Sequence, residues 1–113
     1  MIGEAQVVLI KFPHTDAGKG KLRPALVLKR LPGIYDDWLV CMISTQLRQF
    51  EPELDESISP TDGDFEESGL HSESIIRTGR LAVVEASRLI GRIGRISDNR
   101  YERVQSKLIK WLS

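Results

Sequence analysis

Lys21-Leu22-Arg23-Pro24-Ala25-Leu26-Val27-Leu28 places a fixed cation at the mouth of a buried strand. Proline locks its own backbone and pushes the preceding residue toward an extended conformation, so Arg23 is held where loop becomes strand. The apolar run that follows reads as a strand over residues 25–29, bounded by Pro24 and by the Pro32-Gly33 turn. A guanidinium keeps its charge at any physiological pH and offers a planar fork of donors that fits two oxygens of a phosphodiester. Just upstream, Asp16-Ala17-Gly18-Lys19-Gly20 brings backbone amides to the same rim, and Lys19 and Lys21 add two further candidate phosphate-binding cations.

On either side of this stretch the pattern is that of a mainly β chain. Gln6-Val7-Val8-Leu9-Ile10-Lys11-Phe12 is apolar and β-branched and stops at Pro13, where the backbone donor is missing. Trp38 to Thr45 gives a third short strand, Ser74 to Arg77 a restart, Arg80 to Glu85 a further strand, and Arg92 to Ile96 a last one, after a short helical turn over Ser87 to Ile90. Between them, residues 46–73 are spaced too irregularly for one element, and one irregular edge strand inside a long loop is expected there. From Asp98 the period changes to that of a helix. Tyr101, Val104, Leu108 and Trp111 or Leu112 share one face, and Ser97 or Asp98 is available as N-cap. The expected architecture is a single domain over residues 1–113, a small β-barrel closed at one end by a C-terminal α-helix.

Composition narrows the chemistry. At 113 residues the chain has room for one modest core and none for a separate cofactor domain. The single cysteine, Cys41, lies in an apolar strand and reads as a buried thiol, and with two separated histidines no metal site is expected. No cofactor is expected either. No apolar run approaches the ~20 residues of a membrane helix, so a cytoplasmic protein without membrane contact is expected. Net charge is zero, but Glu51 to Glu67 holds eight acids and no Lys or Arg, which leaves the remainder with 16 basic and 8 acidic residues. That asymmetry is what an electrostatic footprint for phosphate looks like, with the acidic run either turned away or competing for the same cations, and a solvated, mobile loop is the reading favoured for it.

Several ordered pieces carry a resemblance. Gly3-Glu4, Val7 to Pro13 with Thr15-Asp16, Arg23-Pro24-Ala25-Leu26-Val27-Leu28, Ile43-Ser44-Thr45, Gly69-Leu70 before Ser74-Ile75-Ile76, and Arg88-Leu89-Ile90-Gly91-Arg92-Ile93-Gly94-Arg95 are similar, in order and nearly end to end, to the MazF/PemK toxin family. The resemblance implies an SH3-like barrel that dimerises. It also implies a sequence-selective, metal-independent endoribonuclease of a type II toxin–antitoxin system, with single-stranded RNA as substrate and a cognate antitoxin protein as partner. The alternative on the same fold is a non-catalytic binding module, either a degenerate RNA binder or a poison of a protein target such as gyrase, as the related CcdB family implies.

Such a ribonuclease needs a base for the attacking 2′-hydroxyl, an acid for the leaving 5′-oxygen and donors for the phosphoryl oxygens. Arg23 matches the family's catalytic arginine. Thr45 is matched to its catalytic threonine or serine, with the neighbouring Ser44, on the opposite face of the strand, as the second choice. Arg77 is assigned a secondary phosphate contact. Gly79 stands where some members carry an acid, and Val83-Val84-Glu85 replaces a Thr-Ile-Asp found in many, so the base is open. His14 is the candidate, nearer to Arg23 in sequence than the other histidine, His71.

Overall fold

The computed structural model describes residues 2–11 and 21–113. Six antiparallel strands form one sheet: β1 (Gln6–Lys11), β2 (Leu22–Arg30), β3 (Asp37–Ser44), β4 (Glu56–Ile58), β5 (Ser74–Glu85) and β6 (Gly91–Arg95), in the order β4-β5-β3-β2-β1-β6. A 3-10 turn at Leu47–Gln49, a short helix α1 (Phe65–Ser68), another 3-10 turn at Ala86–Arg88 and the C-terminal helix α2 (Asp98–Leu112) complete the chain. The expected β-rich barrel with a terminal helix is the architecture observed, and the edge strand foreseen inside residues 46–73 is β4.

Irregularities in the ladder curl the sheet. β1 slips against β6 between Val7 and Val8, and β2 slips against β3 between Val27 and Lys29. A larger interruption lies in β5, where Met42 pairs with Arg77 while the adjacent Cys41 pairs with Leu81, so that Thr78, Gly79 and Arg80 are extra on the β5 side. Bulges of this kind bend a strand and increase its twist. What the sequence suggests as two strands separated at Thr78-Gly79 is therefore one strand with a bulge. At the far edge, α1 lies directly on β6. Gly69, in the left-handed region at φ 77°, and Gly94 have no room for a Cβ, which would stand 2.2 Å from the carbonyl oxygens of Ile93 and Glu67 respectively. Two glycines thus let one backbone close over the other.

The curled sheet separates two apolar clusters. Leu26, Cys41, Ile43, Ile58, Ile76 and Ile96 pack with Tyr101 and Val104 beneath α2. Val8, Ile10, Ala25, Val27 and Val40 form the second cluster, with Trp38, Met42 and Ala82 half-buried against it. Cys41 is fully buried, and burial together with the nearby Asp55 carboxylate pushes its thiol pKa up, so it is a small core residue. No described helix is long and apolar enough to cross a membrane.

Helix α2 begins as expected, with Ser97 Oγ accepting the Arg100 N–H at 3.2 Å. Tyr101 and Val104 are buried and Leu108 half-buried, while Trp111 and Leu112, at the end of the same face, are exposed. The last turn of the helix extends beyond the apolar cluster, whose outermost helical member is Leu108.

The acidic run departs furthest from expectation. Asp55, Glu56 and Asp64 are buried. Arg100, 5% exposed, donates from Nε to Asp64 Oδ2 at 2.9 Å, from Nη1 to Glu56 Oε2 at 3.0 Å and from Nη2 to Asp62 Oδ2 at 2.9 Å. Arg103 and Lys107 also pair with Glu56. The segment is therefore an ionic cradle that seats α2 on the sheet rather than a solvated loop. A buried arginine with saturated carboxylate partners fixes geometry, whereas any one of these charges left alone would be costly.

Candidate functional site

Strand alternation assembles a polar cleft at the end of the second cluster. Ala25 pairs with Met42, and Met42 in turn pairs with Arg77. Two residues toward the β2 start and the β3 end, on the same faces, come Arg23 and Ser44. Met42, Leu81 and Ala82 supply an apolar floor, Arg23, Ser44 and Arg77 polar walls, and the bulge residues Gly79 and Arg80 the far rim, around a cleft of about 450 Å³. Gln46 and Gln49, one turn apart after β3, line the remaining side.

Arg23 lies in the second position of β2, inside the strand rather than at its mouth. Pro24 beside it pairs with Leu9 ahead of the first β3 pair, where β2 is flanked by β1 alone and tolerates a proline. Arg23 Nε is buried with no hydrogen-bond partner among the described residues. Ser44 Oγ accepts the Gln46 backbone N–H at 3.0 Å, which leaves its own proton to donate elsewhere. Arg77 donates from Nη1 to Gln49 Oε1 at 2.7 Å, and its Nε stands 3.3 Å from Asp55 Oδ2 without an aligned hydrogen bond. The ionisable residues lining the cleft, among those described, are the three arginines Arg23, Arg77 and Arg80. With low-dielectric walls on one side, such a cleft concentrates anions.

Of the residues singled out in the sequence, Arg23, Ser44 and Arg77 are brought together. Thr45 follows the end of β3, exposed and outside the cleft lining, so the placement favours Ser44 over Thr45. Lys21, just ahead of β2, and His71, ahead of β5, are also exposed and outside the lining. His14 and Lys19 lie outside the described residues. Gly79 has no unusual φ; Leu54 Cδ1 lies 3.1 Å from where its Cβ would stand, so a side chain there would have to displace that leucine.

Gln46, Gln49 and Arg80 escaped the sequence reading. The signal for the first two was present in Gln46-Leu47-Arg48-Gln49, which spaces two glutamines by three residues directly after a strand end, and no comparable signal marks Arg80.

The arrangement offers two guanidinium groups and a hydroxyl to an anion above an apolar floor. Residues 4–112 match a family described as the PemK-like, MazF-like toxin of type II toxin–antitoxin systems. Solved structures with the same fold include the Mycobacterium tuberculosis toxin MazF-mt6, with a TM-score of 0.69 at 15% sequence identity over 95% of each chain. At that identity the likeness is one of fold. No curated protein matches the sequence significantly.

Proposed function

The chain belongs to the PemK-like, MazF-like toxins of type II toxin–antitoxin systems, and we propose that it is a sequence-selective, metal-independent endoribonuclease acting on single-stranded RNA. The observation that carries this reading is the convergence of Arg23, Ser44 and Arg77 on one cleft. The guanidinium of Arg23 and the hydroxyl of Ser44 donate to the non-bridging oxygens of the scissile phosphate, where charge accumulates as the 2′-oxygen attacks phosphorus. Arg77 holds the neighbouring phosphate and fixes the strand for in-line attack. The 2′-oxygen forms its bond to phosphorus as the bond to the 5′-oxygen breaks, and the departing 5′-oxygen takes a proton from water, leaving a 2′,3′-cyclic phosphate and a 5′-hydroxyl. His14 is the proposed base for the 2′-hydroxyl proton, and Lys19 and Lys21 are proposed to hold more distant phosphates. Thr45, the hydroxyl implied by the resemblance, is weighed against Ser44 by substituting each in turn.

A non-catalytic RNA-binding module is the second reading. It draws on one observation, that the described lining contains arginines but no carboxylate or imidazole to take a proton. Incubation of purified protein with a long unstructured RNA in chelator separates the two, discrete cuts with 5′-hydroxyl ends supporting catalysis.

The toxin is further proposed to work in the cytoplasm as a homodimer and to be neutralised by a cognate antitoxin whose acidic segment competes for the arginine-lined cleft. A monomer by light scattering at micromolar concentration would contradict the dimer.

A further inference from the structure

We infer that Gln49 is a specificity-determining residue whose amide oxygen is engaged by Arg77, leaving its NH₂ as the group free to meet a base, so that a base edge with a carbonyl oxygen at the exocyclic position beside it, as uracil O4 and guanine O6, is favoured over one with an amino group there, as cytosine N4 and adenine N6. The inference rests on the reading of the cleft as an RNA site. A glutamine amide normally reads either kind of base edge, because a half-turn about its last bond exchanges donor for acceptor. Gln49 has lost that freedom. A guanidinium has donors and no acceptor, so the atom 2.7 Å from Arg77 Nη1 is necessarily the carbonyl oxygen. Turning the amide over would set NH₂ against NH₂. Arg77 is itself restrained from behind by Asp55, whose Oδ2 is 3.3 Å from Nε.

The backbone that carries Gln49 is restrained too. Its N–H donates to Gln46 O at 3.0 Å, the Phe50 N–H donates to Leu47 O at 3.1 Å, and the Gln46 N–H donates to Ser44 Oγ at 3.0 Å. Gln49, an exposed residue, is thereby held at a set offset from Ser44 and Arg77 in the lining of a cleft that Met42, Leu81 and Ala82 also line. Single-stranded RNA is read through unstacked bases whose Watson–Crick edges meet such groups. Uracil O4 and guanine O6 accept there, whereas cytosine N4 and adenine N6 donate, and two facing donors leave both unsatisfied.

The test is binding of fluorescently labelled hexauridylate and hexacytidylate, measured by anisotropy, to the wild-type chain and to the Gln49→Ala and Gln49→Glu variants, both at an exposed position. The wild-type chain is expected to bind the uridylate about tenfold more tightly, as one hydrogen bond gained against a donor clash implies. Gln49→Ala removes the preference, and Gln49→Glu, which can only accept, shifts it toward cytidylate. Equal binding by the wild-type chain, or a uridylate preference that survives Gln49→Ala, overturns the inference and leaves the RNA reading standing. Failure of the folded wild-type chain to bind either oligomer overturns both.

Discussion

Asp55 Oδ2 lies 3.3 Å from Arg77 Nε, so a carboxylate from the acidic run reaches through the wall of an arginine-lined cleft and braces one of its cations from behind. The same oxygen accepts the Glu51 N–H at 2.9 Å, which ties the brace to its own loop. Asp55→Asn keeps an oxygen for that backbone bond but removes the charge. Two roles predict opposite results. If Asp55 merely offsets positive charge, the variant binds RNA more tightly; if it positions Arg77, binding weakens several-fold despite the added net charge. We expect weaker binding, read from the KM of an RNA cleavage assay with kcat followed separately.

The two adjacent hydroxyls give a second prediction. Ser44 lines the cleft and Thr45 does not, so Ser44→Ala is expected to lower kcat on the order of 100-fold, the loss typical of one donor to a developing oxyanion. Thr45→Ala should leave kcat within about twofold on that basis. Single-turnover cleavage of a defined oligonucleotide distinguishes them, and the reverse order would restore Thr45 as the hydroxyl donor.

Arg100 provides the stability prediction. Its guanidinium is held by Asp64, Glu56 and Asp62, two of which are themselves buried. Arg100→Ala leaves the buried Asp64 without a cation, while Glu56 keeps Arg103 and Lys107, and is expected to cost about 3–5 kcal/mol in denaturant unfolding. Loss of less than about 1 kcal/mol would mean that the cradle does not hold α2, since exposed pairs contribute on that scale.

A pH dependence follows from the same cluster. Burial raises the Asp64 carboxyl pKa, but hydrogen bonds from Arg100 and the Ser97 N–H and the Arg100 charge outweigh it and lower the pKa from 3.8 to about 2. A carboxyl depressed in the folded state stabilises fully above its unfolded value and loses that contribution as pH falls through the folded value. Between about pH 4 and pH 2 the chain should therefore lose about 2 kcal/mol through Asp64 alone. Asp64→Asn should flatten this part of an acid-unfolding curve, and an unchanged acid limb would contradict the assignment.

The sequence carried the local features well because their causes are local. Pro24 restricts Arg23, Ser97 caps the helix three residues ahead of its bond partner, and alternation marks β1, β2 and β3. Arg100 and its acids escaped because they lie 36 to 44 residues apart, and a charge run has no pattern that tells solvated from buried. Which of Ser44 and Thr45 lines the cleft was not legible in the sequence because side chains alternate with period two, and at a half-exposed strand end the apolar pattern does not say which parity faces in. Trp111 and Leu112 continued the helical stripe in sequence, but nothing in a period indicates where the sheet beneath it ends.

Arg23 is the group on which the proposed cleavage depends, and wild-type and Arg23→Ala protein are to be compared on a long unstructured RNA in EDTA, with cut sites and end groups mapped. Discrete cuts with 5′-hydroxyl ends are expected from the wild-type chain, with a loss of about 100-fold or more in the variant. Uncut RNA with folded wild-type protein, or equal cutting by Arg23→Ala, would contradict it.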